Sequence, residues 1–275
     1  MPRIDPTARI ANGAQLAEDV EIGPYCTVGP QVELRAGVRL FSHANISGVA
    51  VIGERTSIHP FASLGTEPQS LSYRGGATRL VVGRECRIRE NVTMNVGTED
   101  GGGVTTVGDH CFFMAGSHVA HDCQIGNDVT LANNTVLGGH VTIGDNCFLG
   151  GQTAVHQFRR IGEGAMIGGM TGITRDVIPF GFAFGMKADL VGINFVGLKR
   201  RGHAREAIQG LRRAYRALFF GSGIFNDRLK KVETECGDDA LVKQVLVFIR
   251  KTGTRPLMLP AQTSSEDLLS DDAKP

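Results

Sequence analysis

An apolar residue returns at every sixth position, and few folds accept that period. Ile4, Ile10, Leu16, Ile22, Val28, Leu34, Leu40, Ile46, Ile52, Ile58 and Leu64 follow one another without a break. The series resumes in phase at Val82, Ile88 and Met94, slips by one residue, and runs from Val107 to Ile173. A helix wants apolar residues 3.6 apart, and a half-buried strand wants alternation. Six fits neither. It fits a short strand and a corner, three such sides closing a coil of 18 residues, with coils stacked about 4.8 Å apart like neighbouring strands. The 26 members give a mainly β prism of nearly nine coils. Small or apolar residues such as Ala8, Ala14, Val20 and Cys26 recur four places after the large ones and pack beside them. Corner glycines such as Gly53, Gly83, Gly108 and Gly144 are expected to supply positive φ.

The prism is expected over residues 1–190, with two excursions at 65–81 and 95–106 thrown out of it as loops. Long loops on a rigid scaffold tend to carry function. Beyond Pro179 the period stops. Ile208, Leu211, Tyr215, Leu218 and Phe219 share one helical face, as do Leu241, Val242, Val245, Phe248 and Ile249. These predict a small α-helical domain over 191–260, followed by a polar, acidic tail at 261–275 read as disordered. The flat sheet faces of such a prism suit three chains packed side by side, a homotrimer.

Twenty-nine Lys and Arg against 28 Asp and Glu give a charge of +1, which argues against nucleic acid as a main partner. No apolar run is long enough to span a membrane, and Pro2 and Asp5 stand where a secretory signal needs apolar residues, so a cytoplasmic location is expected. Cys26, Cys86, Cys111, Cys123 and Cys147 all fall two residues before an inward apolar position. They read as buried thiols acting as small hydrophobes rather than as a metal or redox set.

Folding the chain at 18 residues per coil brings His121, the Gly138–Gly139–His140 segment and His156 into one column, with His118 three residues before His121. Three readings compete. Neutral histidine is an effective general base near neutral pH, Asp122 stands beside His121 to fix its tautomer, and a glycine amide can receive an oxyanion. That set describes acyl transfer without a nucleophilic side chain. Alternatively, three histidines bind zinc, although no H-E-x-x-H or C-x-x-C supports this. Thirdly, the prism is a scaffold without chemistry. The basic stretch G-L-K-R-R-G at 197–202, with Arg205, Arg212, Arg213 and Arg216, offers an anion site for nucleotide phosphates or an acidic carrier protein.

With these repeats, H-V-A-H-D-C at 118–123, L-A-N-N at 131–134, G-G-H at 138–140, T-A-V-H-Q-F at 153–158 and G-L-K-R-R-G resemble the UDP-N-acetylglucosamine acyltransferase family, which begins lipid A synthesis. The resemblance reaches to about residue 255. It implies a left-handed parallel β-helix of hexapeptide repeats followed by a small helical domain, a homotrimer with sites between subunits, no cofactor and no catalytic metal. It implies an acyl-carrier-protein thioester as donor and a UDP-sugar as acceptor. Within it, His121 matches the general base, Gly139 the oxyanion donor, and Asp122 the residue that steers His121. His118, His140, His156 and Gln157 match positions around the sugar and thioester, and Asn194, Arg200 and Arg201 match positions near the phosphates. Gly169 matches the position that limits acyl length, and glycine there implies a long hydroxyacyl chain.

The family's loop often reads Q-D-L-K-Y, whereas here it is Gln69-Ser70-Leu71-Ser72-Tyr73. Asn95 stands in place of a common His, and Val196 in place of a Glu. Loss of a carboxylate and an amine weakens the expected contacts to the usual sugar. An acceptor with a 3-amino group is therefore one hypothesis, and replacement of the contacts by other residues is the other. The rival from another class is a zinc-dependent trimeric hexapeptide enzyme of carbonic-anhydrase type. The later N-acyltransferase of the same pathway is disfavoured, because its family adds an N-terminal domain and here the repeats start at Ile4.

Overall fold

A computed structural model describes residues 1–251 and 256–261. Strands of mostly two residues form three sheets of eleven, nine and eight strands, parallel except for the last strand of the first, and these are the faces of a triangular prism. Each strand pairs with the one a coil later, Ile4 with Ile22, Ile10 with Val28 and Leu16 with Leu34. The large apolar members point inward. Ile46, Ile58, Leu64, Met94, Phe113 and Leu131 are fully buried, whereas Ile4 on the terminal coil is 41% exposed because nothing stacks beneath it.

The coils wind left-handed, against the usual sense of parallel crossovers, and the corners show how the chain tolerates this. Sixteen non-glycine residues, from Tyr25 to Phe180, hold φ between 54° and 64°. Each such residue costs about 1–2 kcal/mol in intrinsic preference. Part of that is offset by an amide bond to the corner carbonyl one coil below, as from Asn134 N to Ala115 O (3.0 Å) and from Phe158 N to Gly139 O (3.0 Å). The expected role of the corner glycines is therefore corrected. Gly53, Gly83, Gly108 and Gly144 do not have positive φ. They are needed because a Cβ would run into the next coil, for example 2.6 Å from the carbonyl carbon of Gly126 at Gly108.

The prism thiols are unpaired and buried. They donate to a corner carbonyl of the next coil, Cys123 Sγ to Gly138 O (3.2 Å) and Cys147 Sγ to Gly162 O (3.1 Å). Thr135 Oγ1 makes the equivalent bond to Gly150 O (3.0 Å), so cysteine and threonine serve the same inward position.

Both excursions leave the sheets in register. Val49–Ile52 pairs with Arg79–Val82 thirty residues on, and Thr93 pairs with His118 twenty-five on, so each detour is ejected whole at a corner. Because Ser63–Thr66, Arg79–Val82, Thr93–Asn95 and Val104–Val107 are strands, the loops proper are 67–78 and 96–103. Above the last coil, Gly181–Phe184 extends one sheet and Asp189–Ile193 folds back antiparallel on it.

Among the described residues four helices follow: α1 (Phe195–Arg200), α2 (Arg205–Phe220), α3 (Phe225–Cys236) and α4 (Ala240–Arg250). Leu211, Ala214 and Leu218 of α2 and Val242, Val245 and Ile249 of α4 are buried in a common apolar cluster. Phe219 and Phe248, expected on these faces, are only partly covered. Arg160 joins the prism to this bundle: its Nε donates to buried Asp176 Oδ2 (2.8 Å) and its Nη2 to the carbonyl of Phe248 on α4 (3.2 Å). Among the described residues no helix is long and apolar enough to cross a membrane. The acidic tail, from residue 262, lies outside the described residues.

Candidate active site

His121 and Asp122 occupy a corner that follows the strand His118–Val119. Asp122 takes the left-handed second place of that corner (φ 59°), which turns its carboxylate back beneath the coil, where the side chain is 1% exposed. His121 Nδ1 lies 2.8 Å from Asp122 Oδ2. A carboxylate only accepts, so in the neutral ring Nδ1 carries the proton and Nε2 keeps its lone pair. One coil later Gly139 lies against this ring. A Cβ on Gly139 would fall 2.5 Å from His121 Cε1 and 2.6 Å from Nε2, so the imidazole rests on a surface that only glycine leaves open. The amide of Gly139 makes no hydrogen bond among the described residues, whereas that of Gly138 is spent on Val155 O (2.9 Å). A basic nitrogen and a free N–H thus share one corner, as proton transfer with oxyanion stabilisation requires.

His140 extends the cluster. Its ring meets that of His121 edge-on at 5.0 Å, stacks on Phe158 at 4.3 Å, and brings Nε2 to 3.9 Å from Asp122 Oδ2. Burial lowers the pKa of His140, as does His121, and the charge of Asp122 opposes both. His118 points outward from its strand, its Nδ1 2.7 Å from Thr93 Oγ1, and burial lowers its pKa further from the protonated state, with His121 adding to this. Both rings are thereby favoured as neutral hydrogen-bonding groups.

The expected column is only partly realised. His156 is exposed and sets its Nδ1 against its neighbour's carbonyl, Gln157 O (3.1 Å), rather than joining the His121–Asp122 pair. Its place above His140 is taken by Phe158. Among the described residues, the donor atoms that gather within 4.8 Å are accordingly those of His121, Asp122 and His140, not three histidines. Asp122 already accepts from His121, from Thr98 Oγ1 (2.6 Å) and from Thr98 N (3.0 Å), so a cation would have to displace existing bonds.

The comparisons with known proteins agree with this chemistry. Residues 176–258 match the family described as Udp N-acetylglucosamine O-acyltransferase, domain 2, and residues 105–139 match the bacterial transferase hexapeptide family. The acyl-[acyl-carrier-protein]–UDP-N-acetylglucosamine O-acyltransferase of Azorhizobium caulinodans is 55% identical over 94% of this chain and 96% of its own length. That of Caulobacter vibrioides is 51% identical over 94% and 98%. The chain belongs to the UDP-N-acetylglucosamine O-acyltransferase family. Solved structures of the family superpose closely: the enzyme of Acinetobacter baumannii with a TM-score of 0.89 at 38% identity over 93% of this chain and 99% of that one, and the enzyme of Francisella novicida with 0.90 at 31% over 99% of both. This membership sets aside the carbonic-anhydrase alternative.

The other positions that match the acyltransferase family's motifs are spread over the first loop, several corners of the prism and α1. Gln69 and Gln157 are exposed. Ser70 and Ser72, which replace the family's Asp and Lys, bond each other through their hydroxyls (2.9 Å). Asn95 is buried and ties down the root of the first loop, its Nδ2 donating to Thr66 Oγ1 (3.0 Å) and Glu67 O (2.9 Å). Gly169 is partly covered, and a Cβ there would meet Gly151 O at 3.2 Å. Asn194 caps α1 by accepting from Gly197 N (2.9 Å) and donates to Gly164 O (3.1 Å), so its side chain positions the helix. Val196 and Arg200 project from α1 into solvent, whereas Arg201 folds under it, its Cζ 5.8 Å from the Phe180 ring centre.

Sequence reasoning missed Thr98, Thr105, Gly101 and Phe158. Thr105 Oγ1 accepts from the amide of Asp122 (2.8 Å). Phe158 closes the T-A-V-H-Q-F motif, which assigned it no role. The 18-residue arithmetic that lined up His121 with Gly139 also puts Phe158 above His140 and Asp122.

Proposed function

We propose that this chain transfers a long 3-hydroxyacyl group from acyl carrier protein to the 3-hydroxyl of UDP-N-acetylglucosamine, the opening step of lipid A synthesis. The observation that carries this is the corner itself: His121 fixed by Asp122 at 2.8 Å, with its unprotonated edge on Gly139. His121 Nε2 removes the proton from the sugar hydroxyl as that oxygen attacks the thioester carbonyl. The Gly139 N–H receives the developing oxyanion, Asp122 accepts from the imidazolium, and collapse expels the carrier's thiolate. The imidazolium returns its proton to that sulfur, so base and acid are the same residue and no covalent enzyme intermediate is needed.

His118, His140, His156 and Gln157 contact the sugar and thioester, and Gln69 reaches the sugar from the first loop. Gly169 leaves room for the acyl chain, and Arg200 and Arg201 face the phosphates with Asn194 holding their helix. The basic face of α2, with Arg205, Arg212, Arg213 and Arg216, receives the acidic carrier protein. The chain works as a cytoplasmic homotrimer. Val136 and Phe158 remain exposed beside the corner, 41% and 43% respectively, and a neighbouring copy would cover them and close the site.

General-base catalysis is worth about 10²–10⁴-fold. His121→Ala is therefore expected to lose at least a hundredfold in turnover while keeping its size on a sizing column. Unchanged turnover refutes the mechanism. The relatives' names specify O-acylation, and the Ser70 and Ser72 replacements are the sole motive for a 3-amino acceptor. Rates with the two UDP-sugars decide the acceptor, and the hydroxyl sugar is expected to be preferred.

A further inference from the structure

We infer that Thr98, on the second ejected loop, is a positioning residue for the reaction, acting on His121 through Asp122. This deepens the general-base reading and rests on it. Asp122 receives four hydrogen bonds from two sources. One is His121. The other three come from Thr98, whose amide lies 3.0 Å from Oδ1 and 3.1 Å from Oδ2, and whose hydroxyl lies 2.6 Å from Oδ2. The oxygen that accepts from His121 is thus the one the Thr98 hydroxyl grips. The titratable groups facing it are His121 and His140, the latter 3.9 Å away, and a carboxylate released by Thr98 is free to turn toward His140.

The rest of the loop is shaped around the same carboxylate. Residues 96–103 contain a single 3₁₀ turn, Glu99–Gly101, and Gly101 lies so close to Asp122 that any Cβ would overlap the carboxyl group. A Cβ on Gly97 would come within 2.8 Å of Asp122 Oδ1. Glu99 anchors the turn from the other side, its Oε1 accepting from Gly76 N (2.6 Å) and Arg74 N (3.3 Å) of the first loop. The detour of the chain at this corner is therefore a lid that buries Asp122 and sets its angle. Hydrogen bonds to ionised groups are among the stronger ones in proteins, and a misplaced catalytic group costs up to about a hundredfold.

The test is a double-mutant cycle on kcat. Thr98→Val keeps the shape and removes the hydroxyl, and is expected to lower kcat on the order of tenfold with KM for the UDP-sugar nearly unchanged. Thr98→Ser, which keeps the donor, restores most of the rate. In an Asp122→Asn background Thr98→Val costs little more, because its effect passes through the carboxylate. Wild-type kcat in Thr98→Val, equal losses in the Ser and Val variants, or losses that multiply with Asp122→Asn each overturn the inference. If Thr98→Val is normal while His121→Ala is inactive, only this inference fails; if His121→Ala is fully active, the general-base reading fails first.

Discussion

Gly139→Ala separates the two jobs assigned to one corner, because it moves the base and leaves the amide donor in place. Gly139 is not in the positive-φ region, so alanine can adopt its backbone without strain. The added Cβ, however, would sit 2.5 Å from His121 Cε1, 2.6 Å from Nε2 and 3.1 Å from Nδ1, where ordinary contacts begin near 3.4 Å. The imidazole must withdraw by close to 1 Å, and its Nδ1 bond to Asp122 resists that motion. A displacement of about 1 Å in a reacting group costs on the order of a hundredfold. The expected result is a fall in kcat of about that size, with thermal stability close to wild type. Product formation from an acyl-carrier thioester and UDP-N-acetylglucosamine, followed by mass spectrometry, measures the first. A melting curve measures the second. A kcat within about threefold of wild type would refute the placement of the base on Gly139, since the steric conflict cannot be relieved without moving the ring.

Two further outcomes follow from burial. His118 has its pKa lowered below the ordinary 6.5, chiefly by desolvation, so the unfolded chain binds the proton more tightly than the folded one. Its contribution to stability is complete above about pH 6.5 and is lost as pH falls toward the lower folded value. The melting temperature is expected to decline below that pH, with His59 and His140 adding in the same sense, and His118→Gln should flatten the decline; parallel slopes for the two proteins refute this. The thiols make a separate test. Burial raises the pKa of Cys123 and Cys147 to about 12, and all five prism cysteines are sealed, whereas Cys236 is partly exposed. A chromogenic disulfide reagent should therefore titrate one of the six cysteines in the folded protein and all six in denaturant, and a second fast-reacting thiol contradicts the packing.

The prism was legible because its period is a packing rule applied at every coil, and a rule repeated that often identifies itself. The same rule carried the site as far as the coil geometry reaches. His121 and Gly139 are one coil apart, and the contact of ring and glycine follows directly from that spacing. His156 falls two positions short of the stack, because a corner has two residues with opposite duties and only the second stacks. The first presents its amide outward and the second, with φ near 60°, swings its side chain over the coil. Asp122, His140 and Phe158 all hold the second place, so they stack, while His156 stands before the corner and does not.

The corner glycines were misjudged for a related reason. Steric crowding between coils is a property of neighbours eighteen residues away, and a local reading of glycine as a φ device overlooks it. Thr98 lies beyond either kind of reasoning. The second loop is ejected whole, so the register of the sheets on both sides is blind to what the loop contains. A residue on it can be placed against Asp122 only by knowing how the loop folds back, and that depends on Glu99 reaching Gly76 across from a different excursion. Periodicity thus fixes where the histidine and the glycine meet. The carboxylate's orientation depends on the two segments that break the period.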